Sequence, residues 1–299
     1  MGGTKTSSGM TSGVFAKRAL RLFKNWKKAR RGDNSYAGEF EHLQSLLKKL
    51  NISGGFLVDI AASDGVNQSC TLGFLSSGGW KGLAVEMDPE KFANLAFIFS
   101  QFADVKLARN KVTPENVEAV LVSNAVPRDF TLLNLDIDSY DLTVMEEMLN
   151  AGFRPAVISM EVNEKIPPPV YFRVNFDDSH FWKEDHFFGC SLAAAASVMK
   201  PRGYKLESLQ FNNAVFVRED LAAGIISDRS AEEAYDVGYR RQADRKKLFP
   251  WNANVESALG STAEENVRFF RELFKGYEGK FTLAAAPPEP ERNLPPQRL

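Results

Sequence analysis

The stretch FLVDIAASDG, residues 56–65, decides the fold, because an apolar run here passes directly into small and acidic residues. Such a run is typical of a buried strand, and the small residues after it are typical of a tight connection to a helix. The acidic residues permit two interpretations. The connection serves packing alone, or backbone and carboxylates close around a small polar ligand.

Four further apolar runs follow, and helical patterns separate them. The five predicted strands lie in GFLVDIAA (55–62), WKGLAVEMD (80–88), DVKLARNKV (104–112), DFTLLNLDID (129–138) and RPAVISMEVN (154–163). Because the runs are apolar throughout, the pattern predicts an α/β fold with a Rossmann-like, doubly wound, mostly parallel sheet. The runs YKLESLQF (204–211) and NAVFVRED (213–220) predict an antiparallel hairpin at its edge.

Charge is distributed unevenly along the 299 residues. Nine Lys or Arg and no acid precede Asp33, although the net charge of the whole chain is -1. We therefore expect a basic, partly disordered arm over 1–35, with an amphipathic helix at 14–31. This helix either contacts an anionic membrane surface or packs its apolar face on the body of the protein or on a partner. The acidic remainder argues against a nucleic-acid partner. A helical extension is expected over 219–283 and a disordered proline-rich tail over 284–299.

The cellular compartment is predicted from cysteine content and hydropathy. Only Cys70 and Cys190 are present, and neither a secretory signal nor a membrane-spanning run is recognisable. We expect a cytoplasmic protein that lies peripherally at the inner face of a membrane.

Polar residues follow each of the five predicted strands. They are Asp59–Gly65, Glu86, Asn110, the pair Asp136 and Asp138, and the pair Glu161 and Asn163. In an open parallel sheet, ligands bind beyond the carboxyl ends of the strands, so these residues predict one shared site.

The first turn indicates the charge of the ligand. A pyrophosphate cofactor requires glycines at G-x-G-x-x-G spacing, whereas this turn carries Asp59 and Asp64. Two carboxylates suit a cationic ligand, and Glu86 is placed to accept hydrogen bonds from a ribose hydroxyl pair. S-adenosylmethionine combines a ribose, an ammonium and a sulfonium, and we expect it as the cofactor.

The motifs VDIAASDGVNQS, GWKGLAVEMDP, LLNLDIDSYD and ISMEVN resemble those of class I S-adenosylmethionine-dependent methyltransferases, in particular FkbM-type and related sugar or natural-product O-methyltransferases. The resemblance covers roughly residues 50–218, within a predicted cofactor-binding domain at 36–218. It implies that the turn, including Ala61, Ser63, Asp64 and Gly65, cradles the methionine part. It also implies that Met87 and Asn110 flank the adenine and that Asp136 lies near the methionine end.

Acceptor chemistry is expected from Asp138 and from the aromatic, acidic loop 164–189. Methyl transfer to a hydroxyl requires removal of a proton, for which Asp138 and His186 are the first candidates and His180 the second. Asn163, Tyr171 and Trp182 are expected to contact the acceptor, preferably a sugar hydroxyl of a glycan, glycolipid or natural product. Asp138 and Glu161 also offer oxygen ligands for Mg²⁺.

Two other functions remain open at this stage. Asp136-Ile137-Asp138 matches the short D-x-D motif of metal-dependent glycosyltransferases, which would bind a nucleotide sugar. Alternatively, the basic arm and proline-rich tail belong to a non-catalytic adaptor that recruits an assembly to a membrane. The first predicts UDP-sugar binding, and the second predicts that loss of Glu86 has no effect on the cellular role.

Overall fold

A seven-stranded sheet forms the centre of the computed structural model, which describes residues 20, 23–29 and 34–288. Its strands are β1 (Gly55–Ile60), β2 (Trp80–Glu86), β3 (Val105–Arg109), β4 (Leu132–Leu135), β5 (Val157–Glu161), β7 (Tyr204–Gln210) and β8 (Asn213–Arg218). Their order in the sheet is β3-β2-β1-β4-β5-β8-β7. Strands β1–β5 pair in parallel, and β8 is antiparallel to both β5 and β7. The predicted Rossmann-like sheet with an antiparallel hairpin at its edge is confirmed.

Both faces of the sheet are covered by apolar side chains. Val58 and Ile60 belong to one buried cluster with residues of β4 and β5, whereas Leu57 belongs to a second cluster. Successive side chains of a strand point to opposite faces, so the two clusters lie on opposite sides of the sheet. This double burial explains why the strands read as continuous apolar runs.

One helix precedes β1, and five others lie between successive strands along the chain. They are α1 (Glu39–Lys49), α2 (Leu72–Ser77), α3 (Pro89–Phe99), α4 (Val117–Ser123), α5 (Asp141–Asn150) and α6 (Leu192–Met199). The run VNQSCTLGFLSSG (66–78) favours a helix from Val66 onward, but α2 begins six residues later, at Leu72. Gln68 has a φ of 59°, which interrupts a helix, and the residues before α2 form turns instead.

The region 164–189 was expected to be a loop, and this is wrong in part. It contains β6 (Tyr171–Val174), which pairs antiparallel with β9 (Phe281–Ala284) in a separate two-stranded sheet. The sequence pattern did not reveal β6 because its partner lies more than a hundred residues further along the chain. A third apolar cluster, which includes Phe172, Phe187, Phe270 and Phe274, packs around this sheet.

Beyond the central sheet the chain is largely helical. It contains α7 (Glu219–Ala222), α8 (Ala231–Tyr235), α9 (Arg245–Leu248) and α10 (Ala263–Leu273), together with 3₁₀ helix at Pro250–Gly260. The proline-rich tail predicted over 284–299 overlaps the last residue of β9. Its final part, 289–299, lies outside the described residues, as do residues 1–19, 21–22 and 30–33 of the predicted arm. Among the described residues, no helix is long and apolar enough to cross a bilayer.

Candidate functional site

A cleft of about 530 Å³ opens at the carboxyl ends of the parallel strands. The strand order reverses between β1 and β4, and this is where ligands bind in open α/β sheets. The cleft is lined by residues 59–63, 67–69, 85–88, 110–112 and 136–140, by Lys91 and Asn134, and by residues 180–182 of the loop that follows β6. The sequence-predicted residues Asp59, Ala61, Ser63, Glu86, Met87, Asn110, Asp136, Asp138 and Trp182 are therefore brought together.

The turn after β1 adopts a backbone that side chains rarely tolerate. Ala61 and Ser63 have φ values of 67° and 52°, and Gly65 has one of 73°. Left-handed conformations are usual for glycine and uncommon for other residues, particularly in succession. Ala61 and Ser63 thus hold the backbone shape that glycines commonly provide. Their small side chains keep the turn open to a ligand.

Glu86 is fixed at the end of β2 by two backbone groups. Its Oε2 accepts a hydrogen bond from the Ser63 N–H at 2.8 Å, and its Oε1 accepts one from the Asp88 N–H at 2.7 Å. Each carboxylate oxygen has a second lone pair, so two acceptor positions remain for a ligand in the cleft. The side chain is only 4% exposed, and its carboxylate has one defined orientation.

Asp59 is anchored beneath the turn. Its Oδ2 accepts a hydrogen bond from Thr71 Oγ1 at 2.6 Å, and its Oδ1 accepts one from Asn134 Nδ2 at 2.9 Å. Burial raises the pKa of this carboxyl group, and the two hydrogen bonds act in the opposite direction. Asn134, on β4, therefore belongs to the site. The alternation of apolar and polar residues along this strand did not indicate that role.

Asp64 and Gly65 do not line the cleft, which corrects the prediction for these two residues. Asp64 Oδ1 accepts hydrogen bonds from the backbone N–H groups of Val66 and Asn67, so the side chain caps its own turn. A Cβ at Gly65 would lie 2.6 Å from Leu95 Cδ1, which shows that this glycine allows close packing against α3. Both residues therefore stabilise the shape of the turn without facing the cleft.

Three carboxylates converge beyond β4 and β5. Ligand oxygens of Asp136, Asp138 and Glu161 lie within 4.8 Å of one another. Burial, together with the neighbouring Asp141, raises the pKa of Asp136 to about 6. Burial and the charge of Asp136 raise the pKa of Asp138 to about 7, and the pKa of Glu161 is raised well above its usual value, chiefly by burial. The cluster thus holds protons near neutral pH or requires a counter-cation.

Glu161 distinguishes this cluster from a solvated acidic patch. It is 7% exposed, and its Oε1 accepts a hydrogen bond from Asn212 Nδ2 at 3.0 Å. Among the described residues no N–H or hydroxyl donor reaches its buried Oε2, so this oxygen is paired only when the cluster shares a proton with Asp136 or Asp138. Three carboxylates with one unpaired buried oxygen match the oxygen ligands that Mg²⁺ takes in proteins, so the residues fit the predicted metal.

Two lysines of the cleft were not predicted from the sequence. Lys91 is near enough to Asp136 and Asp138 for its charge to lower the pKa of both groups. Lys111 donates a hydrogen bond to Asp178 Oδ1 at 2.9 Å, and its Nζ lies 4.7 Å from the centre of the Phe181 ring. Lys111 follows Asn110 directly, so its position after β3 was the signal that could have identified it.

The acceptor predictions for His186, Asn163 and Tyr171 are not supported by their positions. The ring Nε2 of His186 pairs with Asn254 Oδ1 at 3.0 Å, away from the cleft. Asn163 is fully buried and donates to the backbone oxygens of His186 and Phe188. Tyr171 is 6% exposed and belongs to the apolar core beside the sheet.

His180, which sequence reasoning placed second, lines the cleft together with Phe181 and Trp182. It is 6% exposed, and its Nε2 is buried without a hydrogen-bond partner among the described residues. Burial lowers the pKa of His180, and the charge of Lys280 lowers it further. The ring is therefore neutral near pH 7 and able to take up a proton.

No family model and no curated protein matches this sequence. Several solved structures are partly similar to this chain in backbone fold. One is the N-terminal domain of EvdMO1 in the presence of SAH and D-fucose, which is 11% identical in sequence and has a TM-score of 0.42. The similarity covers 72% of this chain and 99% of that one. A S-adenosylmethionine-dependent methyltransferase from Clostridium acetobutylicum has 13% identity, a TM-score of 0.40 and coverage of 67% and 98%.

Proposed function

We propose that this chain is an S-adenosylmethionine-dependent methyltransferase. The observation that carries the proposal is Glu86, whose carboxylate is oriented by the backbone of Ser63 and Asp88 and still has two acceptor positions at the cleft. Adjacent hydroxyls of a ribose are the donors that such a carboxylate binds in a doubly wound fold.

The charge of the cleft favours a cationic nucleoside over a pyrophosphate cofactor. Asp59, Glu86, Asp88, Asp136 and Asp138 line it, against two lysines. A pyrophosphate would lie against the carboxylates of Asp59 and Glu86 without the glycine-rich turn that normally binds it. An ammonium and a sulfonium instead find opposite charge on this side of the cleft.

The reaction in this proposal is an in-line displacement at the methyl carbon. The acceptor oxygen forms a bond to this carbon while the carbon–sulfur bond breaks, and the sulfonium becomes a neutral thioether. The acceptor proton passes to a base of the cleft. Asp138, with its pKa raised to about 7, and the neutral ring of His180 both suit this step. Alignment of acceptor, carbon and sulfur by the cleft supplies the rest of the rate enhancement.

A sugar hydroxyl is the proposed acceptor. Phe181 and Trp182 are 53% and 40% exposed at the cleft, and aromatic faces stack on the apolar face of a sugar ring. Asp138 lies on the same cleft and can accept hydrogen bonds from sugar hydroxyls. A glycan, a glycolipid and a sugar-containing natural product all offer such a hydroxyl. The assay below distinguishes these acceptors from a protein side chain.

Asp136, Asp138 and Glu161 would hold Mg²⁺ if the reaction uses a metal. Bound there, the ion would supply Lewis-acid stabilisation of a deprotonated acceptor hydroxyl. The chain contributes the converging carboxylates and the orphaned Glu161 Oε2, which accept either a cation or protons.

Calorimetry with SAH (S-adenosylhomocysteine) tests whether the cleft binds the cofactor. A separate titration with UDP-glucose tests the glycosyltransferase alternative, in which Asp136-Ile137-Asp138 binds a nucleotide sugar. We expect binding of SAH and none of UDP-glucose, and the reverse result would refute the proposal. Tritiated S-adenosylmethionine then reports methyl transfer to panels of glycans, glycolipids, free sugars and peptides. An adaptor without catalysis would bind neither SAH nor UDP-glucose.

A peripheral contact with an anionic membrane is proposed for the arm, consistent with a cytoplasmic protein at the inner face of a membrane. Of the predicted helix 14–31, the structure describes residues 20 and 23–29. Leu20 and Phe23 are more than half exposed there, and Lys24 and Lys27 are exposed beside them. Apolar and basic side chains on one exposed segment suit an anionic bilayer surface. Sedimentation with phosphatidylserine vesicles, against neutral vesicles and a Lys24→Glu/Lys27→Glu variant, tests this contact.

A further inference from the structure

We infer that the helical segment 23–29 is a clasp that holds the cofactor turn in its binding shape, a role that rests on the function proposed above. Asn25 Nδ2 donates a hydrogen bond to Asp64 Oδ2 at 3.0 Å, and Lys28 Nζ donates one to Asn67 Oδ1 at 2.7 Å. Both contacts join residues that are 39 positions apart in the chain.

The inner face of the segment is buried against the body of the protein. Asn25 and Ala29 are 7% and 6% exposed, and Ala29 belongs to the apolar cluster that covers one face of the sheet. Four residues apart in a helix, they lie on the same side. Lys24 and Lys27 are exposed, so the two faces of the segment differ.

The turn needs external support because its backbone is unusual. Ala61, Ser63 and Gln68 all have positive φ values without being glycines, and such conformations persist only where surrounding contacts hold them. Asp64 organises the centre of the turn through the backbone of residues 66 and 67. Asn25 adds a donor from outside the turn to the same carboxylate, where it stabilises the buried charge.

The clasp acts on residues that face the cleft. Asn67 and Gln68 line the cleft, and Gln68 also forms a parallel backbone bridge with Ser35. Asn25 and Lys28 do not line it themselves. They are positioning residues, and their loss should loosen the turn without removing any group that the cofactor touches.

Linkage makes the effect reciprocal. If the docked segment favours SAH binding, SAH binding must favour the docked segment by the same factor. Lys24, Lys27 and Lys28 are trypsin sites within this segment. We therefore expect SAH to slow tryptic cleavage of the full-length protein at these three positions.

The test compares Lys28→Met with Lys24→Met in the full-length protein, because both remove one lysine charge from the same segment. Asn25→Asp is a third variant, which keeps the volume of the side chain but removes the donor. Calorimetry should show SAH binding weakened about five- to tenfold by Asn25→Asp and about two- to threefold by Lys28→Met, whose hydrogen bond is exposed, and unchanged by Lys24→Met. Asn25→Asp also places a second carboxylate against the buried Asp64, so its melting temperature without ligand should fall, whereas Lys28→Met should melt as Lys24→Met and the wild type do. Weaker SAH binding by Lys28→Met at an unchanged melting temperature therefore distinguishes the clasp from a merely structural role.

The outcomes separate the clasp from the cofactor assignment. If the wild type binds SAH and all three variants bind it equally, the clasp is refuted and the cofactor assignment stands. If the wild type does not bind SAH, the cofactor assignment fails. Hydrogen exchange of residues 64–69 then tests the clasp without ligand. Faster exchange in Lys28→Met than in Lys24→Met supports the clasp, and equal exchange refutes it.

Discussion

The rings of Phe187 and Tyr277 stack face to face, with centroids 3.9 Å apart and planes within 5° of each other. This contact joins the C-terminal extension to the loop that carries His180 and Trp182. Tyr277 also hydrogen bonds to Asp185, and Lys280 pairs with Asp177 at 2.8 Å. The extension, for which sequence reasoning found no role, therefore supports one wall of the cleft.

Replacing Phe274 by alanine tests this support. Phe274 is 2% exposed and packs against Phe172 and Phe187, with ring centroids 5.2 and 5.3 Å away. Loss of a buried phenylalanine typically costs about 3–5 kcal/mol of unfolding free energy. We expect a loss of that size in urea denaturation of Phe274→Ala, against little change for Phe97→Ala, because Phe97 is 50% exposed. Equal stability of the two variants would contradict the packing described.

Glu86→Gln should weaken SAH binding. The amide keeps one acceptor oxygen but places an NH₂ group against a backbone N–H, so it loses ligand acceptors and turn contacts together. We expect a loss of roughly 1.5–3 kcal/mol, or about ten- to a hundredfold in Kd, by calorimetry. Glu219→Gln, on the exposed helix after β8, is the matched control and should bind as the wild type does.

Stability should fall with rising pH through the titration of Asp138. Its pKa is about 7 in the folded protein and near 3.9 when unfolded, so between these values the folded state binds the additional proton. The stabilisation that this proton on Asp138 contributes is fully present below about pH 4 and is lost as the pH rises to about 7. Asp138→Asn removes this titration. Urea denaturation at about pH 5 and about pH 8 should show a smaller decrease for the variant, by on the order of 1–2 kcal/mol. An equal decrease in both proteins would rule out this titration.

Divalent cations should stabilise the carboxylate cluster if it binds them. Ligand at a hundredfold excess over its Kd stabilises a folded protein by about 2.7 kcal/mol. We expect MgCl₂ to raise the melting temperature of the wild type and of Glu147→Gln, an exposed residue of α5, but not that of Glu161→Gln. NaCl at equal ionic strength controls for screening. If Mg²⁺ shifts Glu161→Gln as much as the wild type, the cluster is occupied by protons alone.

The two histidines of the loop after β6 should differ in their effect on methyl transfer. His180 lines the cleft, whereas His186 pairs with Asn254. With an acceptor identified by the panel, His180→Gln should lower kcat about a hundredfold or more, the usual contribution of a general base. His186→Gln should leave kcat within a few-fold. A larger loss of kcat in His186→Gln than in His180→Gln would instead assign the general base to His186.

The strand ends were predictable from the sequence because burial on both faces requires apolar strands, and polar residues then mark where each strand ends. Asp59, Glu86 and Asp136 were identified in this way. Side-chain direction within the turns was not predictable. Asp64 faces its own backbone because the left-handed residues around it direct amide groups toward the carboxylate. His180 and His186 occupy one loop, and only packing against Tyr277 and Asn254 determines which one reaches the cleft.

The sequence by itself determined the layered α/β architecture and the acidic character of the cleft, since apolar periodicity and the charges after each strand are local properties. The tertiary structure alone decided that β9 pairs with β6 and that Asn25 reaches Asp64. The physical reason is that such contacts join distant segments. They depend on the complementary surfaces that the folded core brings together, and no local pattern encodes their distance or orientation.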